Sequence, residues 1–101
     1  MNSCIWIHYA RPRPHWYSLD DDARTARMAQ WKAAAESSTA GGGACLGRYH
    51  VRGQHDFETV EIWRFPTAEA AFQHWSSLTA AGYGEFNAFA NNVGISTEAL
   101  P

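Results

Sequence analysis

Alternating side-chain character predicts a first strand over Ser3–Tyr9 (Ser-Cys-Ile-Trp-Ile-His-Tyr). Successive side chains of a strand point to opposite faces, so the residues separate into two sets. The Arg-Pro-Arg-Pro segment at 11–14 then predicts an extended connection without regular structure, because proline restricts its own backbone and that of the residue before it. The apolar set is Ile5, Ile7 and Tyr9, and the mixed set is Cys4, Trp6 and His8.

A helical pattern runs from Ser18 to about Glu36 through alanine-rich sequence of high helix propensity. Ser18 is the predicted N-cap, with Asp21 placed as in a capping box and further aspartates in the first turn. The glycine run at 41–43 predicts a flexible end to the helix. It is not a phosphate-binding loop, because no Lys-Ser/Thr pair follows it. One helix face carries Met28, Trp31 and Ala35.

The segment Val60–Trp75 predicts a strand, a stop and a second helix. The strand residues are mostly β-branched or aromatic, and Pro66 ends the strand because it has no N–H for the ladder. Thr67 is the predicted N-cap, and Glu69 adds negative charge in the first turn. The helix continues to residue 81 and ends at Gly82, a predicted C-cap. Helical spacing predicts one partly aromatic face, made of Phe72, Trp75 and Thr79.

One further strand, Ala44–Val51, precedes a turn, and the strand that ends at Pro66 begins at Phe57. Ala44–Val51 and Phe57–Phe65 therefore predict a hairpin. The tail, Tyr83–Pro101, is open to two interpretations: residues 85–90 fit a helical turn or the start of a last strand, and residues 93–96 fit a short strand. Asn91–Gly94 is a candidate for the mouth of a pocket. The element order predicts one α+β domain over residues 1–101, with a ferredoxin-like βαββαβ fold. The expected sheet is antiparallel in the order 4-1-3-2.

Composition and charge exclude several classes of function. The chain is 46% hydrophobic and 18% charged, which is typical of a globular protein. A formal net charge of −2 without a basic run argues against nucleic-acid binding. No stretch approaches the roughly 20 apolar residues of a membrane span, and the N-terminus lacks the charged region of a signal peptide. Cys4 and Cys45 give neither a disulfide framework nor metal-ligand spacing, so the expected compartment is the cytoplasm, with reduced thiols.

The predicted sheet has one face of mixed character. An exposed sheet surface does not need tryptophans, and a plain core excludes Arg48 and Glu61, so this face predicts a pocket or a wet dimer interface. The alternatives are a cross-strand ion pair between Arg48 and Glu61, and interior hydrogen bonds for the histidines. The mixed face comprises Cys4, Trp6, His8, Leu46, Arg48, His50, Phe57, Thr59, Glu61 and Trp63. The opposite face is apolar and comprises Ile5, Ile7, Tyr9, Tyr49, Val51, Val60 and Ile62.

With this element order, the run Trp63…Phe72…Trp75 resembles the dimeric α/β-barrel superfamily. That superfamily includes antibiotic-biosynthesis-monooxygenase-like domains, polyketide cyclases, muconolactone isomerases and chlorite-dismutase-like haem proteins. A strand ending in Trp, a short break and Ala-Phe-x-x-Trp are similar to the monooxygenase-like branch. The stretch 13–20, with Arg24 in the helix, resembles the start of the first helix in a small branch of the same superfamily. The resemblance covers roughly residues 3–82.

The resemblance implies a homodimer in which two sheets meet, with one pocket in each protomer. In the cofactor-free oxygenase branch, the recurring polar set is an Asn on the first strand, a Trp on the third and a His on the second helix. Trp63 matches by position, whereas His8 stands where the Asn is expected and no His follows Trp75 before Gly82. In the cyclase-like branches His and Tyr transfer protons, and three residues here are of that type: His8, His50 and Tyr49.

The predicted site combines acid–base groups with side chains that bind a ring. Histidine suits proton transfer because its pKa lies near neutrality, and Arg48 suits a carbonyl or carboxylate. The predicted catalytic residues are His8, His50 and Glu61. The predicted substrate-binding residues are Trp6, Arg48, Tyr49, Trp63 and His74. No metal site is predicted.

The predicted function is a small enzyme of natural-product-type metabolism. Its substrate is hydrophobic, aromatic or polyketide-like, and the reaction is cyclisation, isomerisation or cofactor-free oxidation. The expected partners are a second copy of the chain and a small hydrophobic ligand, without a cofactor, nucleic acid or membrane. One alternative is a haem-binding protein of the same fold with a His as axial ligand. Another is a non-catalytic ligand-binding or structural dimer.

Overall fold

A four-stranded antiparallel sheet forms the base of the fold in the computed structural model, which describes residues 3–97. The sheet order β2-β3-β1-β4 is the predicted arrangement, and the α+β, ferredoxin-like fold is confirmed. Predictions that fall on residues 1–2 and 98–101 lie outside the described residues. The strands are β1 (Cys4–Pro12), β2 (Ala44–His50), β3 (Thr59–Phe65) and β4 (Asn87–Ile95). The helices are α1 (Asp21–Ala40), α2 (Ala68–Ala80) and α3 (Tyr83–Phe86), and a 3-10 helix spans Pro14–Ser18.

The helices cover the mixed face of the sheet, and the core lies between them. Every second residue of β1 is buried from Cys4 to Ala10, and the residues between them are half-buried. Burial of apolar surface contributes about 25 cal/mol per Å², so the large rings of this layer dominate its stabilising effect. The central cluster comprises Cys4, Trp6, Trp63, Phe65, Ala71 and Leu78.

Both long helices begin at side-chain caps, but the predicted start of the first was wrong. Asp20 is its N-cap and accepts a hydrogen bond from the backbone N–H of Ala23 at 2.7 Å. Ser18 instead ends the 3-10 helix, two residues before that cap. Thr67 caps α2 as predicted, because its hydroxyl accepts from the backbone N–H of Ala70 at 3.1 Å. Gly82 follows α2 with a φ of 79°, a left-handed conformation that favours glycine.

The proline-containing connection is more regular than predicted. β1 continues through Arg11 to Pro12, where it pairs with β4 alone. Pairing with β3 ends at Ala10, so Pro12 lies where the strand has one neighbour and its missing N–H is tolerated. Pro14 then starts the 3-10 helix, a position that suits proline's fixed φ.

A β-bulge corrects the predicted face of β2. The pairing with β3 shifts between Cys45 and Gly47, so Leu46 is the additional residue. Cys45 pairs with Trp63, and Leu46 is 47% exposed rather than part of the mixed face. Phe57 was also misassigned, because β3 begins at Thr59. Its ring instead packs against Tyr9, at a centroid distance of 5.9 Å.

The buried face of α2 differs from the predicted one. Phe72 points away from the core and is 63% exposed, whereas His74 is 2% exposed. The predicted face was assigned from the largest side chains, but the helix is rotated so that Ala71, His74 and Leu78 are buried. Trp75 is half-buried and packs against the core cluster.

The tail contains both a helical turn and a strand, the two structures that the sequence left open. Residues 83–86 form α3, and the chain then continues as a nine-residue strand. Asn87 ends α3 and pairs with Pro12, which sets the register of β4 against β1. This register brings Asn91 opposite His8.

Among residues 3–97, no helix covers the second face of the sheet. Its central side chains are apolar and half-buried, and Ile7 pairs with Ile62 across β1 and β3. Tyr49 lies on the same face, with its ring over Gly47, where an added Cβ would lie 2.6 Å from the Tyr49 Cε2 atom. The central side chains are Ile5, Ile7, Tyr9, Val60 and Ile62.

Candidate functional site

A cavity of about 1000 Å³ lies between α1 and the β2–β3 side of the sheet. This volume is at the upper end of the range of about 300–1000 Å³ that small-molecule sites occupy. Most of its wall is apolar, with a few charged groups. Its main lining residues are Trp31, Lys32, Cys45, Arg48, Glu61, Trp63, His74, Leu78 and Tyr83.

His74 is held within the aromatic core and contributes to the cavity wall. Its ring centroid lies 4.7 Å from that of Trp63 and 5.0 Å from that of Trp6. Its Nδ1 is 2.5 Å from the Ser38 hydroxyl, and Nε2 has no hydrogen-bond partner among residues 3–97. Burial lowers the pKa of His74 to about 4, and the Glu61 carboxylate only partly opposes this shift. The ring is therefore neutral near pH 7.

The charged part of the wall is a short network on β2 and β3. Arg48 and Glu61 are cross-strand partners, and the Arg48 Nε lies 3.2 Å from the Glu61 carboxylate. The Trp63 indole N–H donates to the same carboxylate at 2.9 Å. Because the Arg48 side chain is 60% exposed, the pair contributes at most about 1 kcal/mol to stability. Its larger effect is to fix the carboxylate at the cavity wall.

A second hydrogen-bonded group lies directly behind the cavity. His8 is 2% exposed and stacks on Trp6, with centroids 4.8 Å apart and planes 12° apart. Its Nδ1 lies 2.6 Å from Asn91 Oδ1, and its Nε2 lies 2.8 Å from the Tyr83 hydroxyl. Tyr83 lines the cavity, whereas His8 is not among the lining residues. Burial lowers the pKa of His8, while Asn91 and Glu61 oppose that shift.

The structure brings most, but not all, of the predicted site residues together. Arg48, Glu61, Trp63 and His74 line the cavity, and Trp6 and His8 lie in the layer behind it. His50 is exposed at the end of β2 and borders a smaller pocket of about 430 Å³ formed by the following loop. Tyr49 is 56% exposed on the uncovered face. The roles assigned to all eight residues stay predictions.

Ser38 and Tyr83 were missed in the sequence, and Asn91 was expected at a pocket mouth rather than as the hydrogen-bond partner of His8. Ser38 lies beyond the predicted end of the first helix, and Tyr83 and Asn91 lie in the ambiguous tail. A buried histidine requires partners for its nitrogens, so His8 and His74 were themselves the signal for such groups. The partners were hidden because they come from distant segments of the chain: 36 residues separate Ser38 from His74, and 83 separate His8 from Asn91.

Sheet order and helix placement define an α+β, ferredoxin-like fold. Solved structures of this fold that match the chain include chlorite dismutases. A mutant chlorite dismutase from Candidatus Nitrospira defluvii matches with a TM-score of 0.80 at 16% identity, covering 95% of this chain and 40% of that chain. The chlorite dismutase from the same organism in complex with imidazole matches with a TM-score of 0.75 at 20% identity, covering 93% and 40%.

A third structure, a mutant of that enzyme in complex with cyanide, gives a TM-score of 0.77 at 17% identity and covers 93% of this chain and 39% of that one. No protein-family model and no curated protein sequence matches the chain. At these identities the comparison shows the fold alone. It agrees with the predicted α+β, ferredoxin-like fold and gives no support to the monooxygenase-like or cyclase-like branch that the sequence resembles.

The chain spans about 40% of the length of the solved structures it matches. Within residues 3–97, no helix combines the length and hydropathy needed to cross a membrane.

The lowered pKa of His74 predicts a loss of stability in acid. As the pH falls, the His74 imidazole of the unfolded chain, with a pKa near 6.5, is protonated first. The buried imidazole of the folded protein has a pKa of about 4 and is protonated later. The stabilising contribution is complete above pH 6.5 and is lost as the pH falls towards 4. Over this interval the free energy of unfolding should fall by on the order of 3 kcal/mol more in the wild type than in His74→Asn, which does not titrate there.

Urea denaturation at a series of pH values measures this difference. His55→Asn, the same change in an exposed loop, is the matched control and should keep the wild-type pH dependence. An unchanged pH dependence in His74→Asn would contradict the prediction.

Proposed function

We propose that this chain binds a flat, largely apolar molecule in the cavity between α1 and the sheet, and that haem is the molecule that fits best. One observation carries the proposal: His74 on the cavity wall is neutral, and its Nε2 has no partner among the described residues. Neutral imidazole is the form that binds iron. The likeness of the fold to chlorite dismutases supports this alternative over a cofactor-free enzyme.

The donor set and the wall fit a haem group. His74 would hold the iron through its second ring nitrogen, and Ser38 at its Nδ1 would orient the ring, as partners of metal-bound histidines do. Trp31 and Leu78 give apolar surface for the macrocycle. Lys32 and Arg48 supply positive charge for its carboxylates. When bound, haem would supply redox chemistry at its iron.

A haem titration tests this proposal. Added haem should give the wild type a Soret band typical of histidine ligation, and His74→Asn should lose that band. Ser38→Ala should keep the band but bind about 10–100-fold more weakly, since it removes only the partner of the ligand. His55→Asn should match the wild type. No Soret shift in the wild type, or the same spectrum in His74→Asn, would contradict axial ligation by His74.

We also propose that two copies of the chain associate through the uncovered face of the sheet. That face presents half-buried aliphatic side chains around Ile7 and Ile62 that no helix covers among residues 3–97. A contiguous apolar surface of this kind is typical of an interface. A second copy would cover this face and leave the cavity on the opposite face free.

A charge at the centre of this face should separate the dimer. Ile7→Glu would place a carboxylate opposite an apolar surface, where burial without a partner is costly. We expect the dissociation constant to rise at least about 100-fold, which corresponds to about 3 kcal/mol. Sedimentation equilibrium measures it, and Phe72→Glu, on the exposed side of α2, is the control. A monomeric wild type, or a dimer that survives Ile7→Glu, would contradict the proposal.

The second candidate function is a proton-transferring enzyme that acts on an aromatic or polyketide-like substrate. The hydrogen bond between His8 and Tyr83, at the back of the cavity, favours it. Arg48 would bind a carbonyl or carboxylate, and Trp63 would hold a ring. For a substrate with an acidic proton, cyclisation, isomerisation and cofactor-free oxidation can each begin with removal of that proton, which these groups can receive.

Turnover of a panel of polycyclic aromatic ketones and phenols, followed by product separation, tests the second candidate. His8→Ala should lower kcat/KM by about 100-fold or more, the usual contribution of a general base. His50→Ala tests the second predicted acid–base residue. If both variants turn over a substrate as fast as the wild type, neither histidine has the assigned role.

A further inference from the structure

The hydrogen bonds around His8 define its tautomer. Asn91 Oδ1 only accepts hydrogen bonds, so the proton of His8 lies on Nδ1, 2.6 Å away. The neutral ring then has a lone pair on Nε2. The Tyr83 hydroxyl, at 2.8 Å, must therefore donate to Nε2. A chain of two directed hydrogen bonds thus runs from the cavity wall to β4.

The surroundings of this chain allow the imidazole to take up a second proton. Glu61 lies opposite His8 across β1 and β3, and its carboxylate favours the charged ring. Asn91 Oδ1 favours the charged ring as well, because it accepts a hydrogen bond from Nδ1 whether the ring carries one proton or two. Burial acts in the opposite direction. His74 and Arg48 are the other titratable or charged groups nearby: His74 is neutral near pH 7, and Arg48 is paired with Glu61.

Tyr83 is the group through which a cavity ligand would reach His8. Tyr83 lines the cavity. Its ring makes T-shaped contacts with the rings of Trp31 and Trp75, at centroid distances of 5.1 Å and 5.9 Å. These contacts hold the phenol ring in one orientation. The hydroxyl proton is directed at His8, and no group among residues 3–97 donates to the Tyr83 oxygen, so its lone pairs can accept a proton from a ligand.

We infer that Tyr83, His8 and Asn91 form a proton relay that serves the cavity, for ligands that carry an acidic O–H or C–H. In the relay step, the bond between the ligand and its proton breaks as the proton binds the Tyr83 oxygen. The Tyr83 O–H bond breaks as its own proton binds His8 Nε2. The ligand becomes an anion, Tyr83 stays neutral, and His8 becomes an imidazolium held by Asn91 and Glu61. No oxidant or further reactant is required.

This inference deepens the second candidate function, and it applies to the same cavity that is proposed for haem. The ligand class is a flat phenol, enol or enolisable ketone, because such molecules combine an apolar ring with an acidic proton. Arg48 at the rim would stabilise the resulting anion. Tyr83 is the group that touches the ligand, whereas Asn91 is a positioning residue that fixes the tautomer of His8.

The ionisation of a bound phenol tests the relay. Para-nitrophenol is the probe, because its phenolate absorbs at longer wavelength than the phenol. In the wild type, the bound probe should ionise with an apparent pKa at least about one unit below that in Tyr83→Phe, a tenfold change in the ionisation constant. Tyr17→Phe, the same change at a tyrosine that is 64% exposed, is the matched control and should leave the value unchanged.

Two substitutions at Asn91 provide a second test, because they should change the ionised fraction of the bound probe in opposite directions. Asn91→Asp keeps an acceptor at Nδ1 and adds negative charge, so it should increase the ionised fraction of the bound probe. Asn91→Leu removes the acceptor and should decrease it. A purely structural role of Asn91 would not give opposite effects. Circular dichroism verifies that each variant folds. If Tyr83→Phe does not fold, the two Asn91 variants still decide the test.

Equal ionisation in the wild type and Tyr83→Phe would overturn the relay, as would shifts of the same sign in both Asn91 variants. Failure of the probe to bind the wild type would overturn it too. The haem titration separates this result from the proposed function. Haem binding without probe ionisation leaves the proposed function standing and removes the relay. Probe ionisation without haem binding leaves the relay standing and removes the haem proposal.

Discussion

The structure depends on keeping two imidazole rings neutral inside an aromatic core. His8 and His74 are each 2% exposed, and burial lowers the pKa of both rings, so both are neutral near pH 7 before any proton transfer. Neutral rings still need hydrogen-bond partners, which α1 supplies for one through Ser38 and which α3 and β4 supply for the other. Because these partners come from separate elements, satisfying the two rings also defines how those elements dock on the sheet. The core is therefore specified by polar contacts as much as by apolar packing.

The sequence predicted the fold well because its signals were local. Alternation in β1, the stop at Pro66 and the cap at Thr67 each depend on neighbouring residues, and each is present in the structure. The strand order followed from the succession of elements. The mixed character of the helix-covered face was also visible in the sequence, and the cross-strand ion pair between Arg48 and Glu61, which stood as an alternative to a pocket, is present in the structure.

The errors came from features that depend on contacts between distant segments. The bulge at Leu46 reverses the alternation of β2, and alternation alone carries no sign of an added residue. The rotation of α2 was misjudged because Phe72 is more hydrophobic than His74, yet the histidine is the buried one. Its burial becomes favourable only with Ser38 at hydrogen-bond distance, and no local pattern connects residues 38 and 74. Tertiary contacts thus overrode hydrophobicity where the site lies.

The two buried histidines have the same protonation state but different chemical capacities. Both nitrogens of His8 are engaged, by Asn91 and Tyr83, so this ring can exchange protons only along bonds that already exist. His74 has one engaged nitrogen and one without a partner among residues 3–97, on a ring that contributes to the cavity wall. A ligand that offers an empty coordination position suits His74, whereas a ligand that offers a proton suits the Tyr83–His8 pair. One cavity therefore presents two distinct forms of imidazole chemistry, and the identity of its ligand determines which one the protein uses.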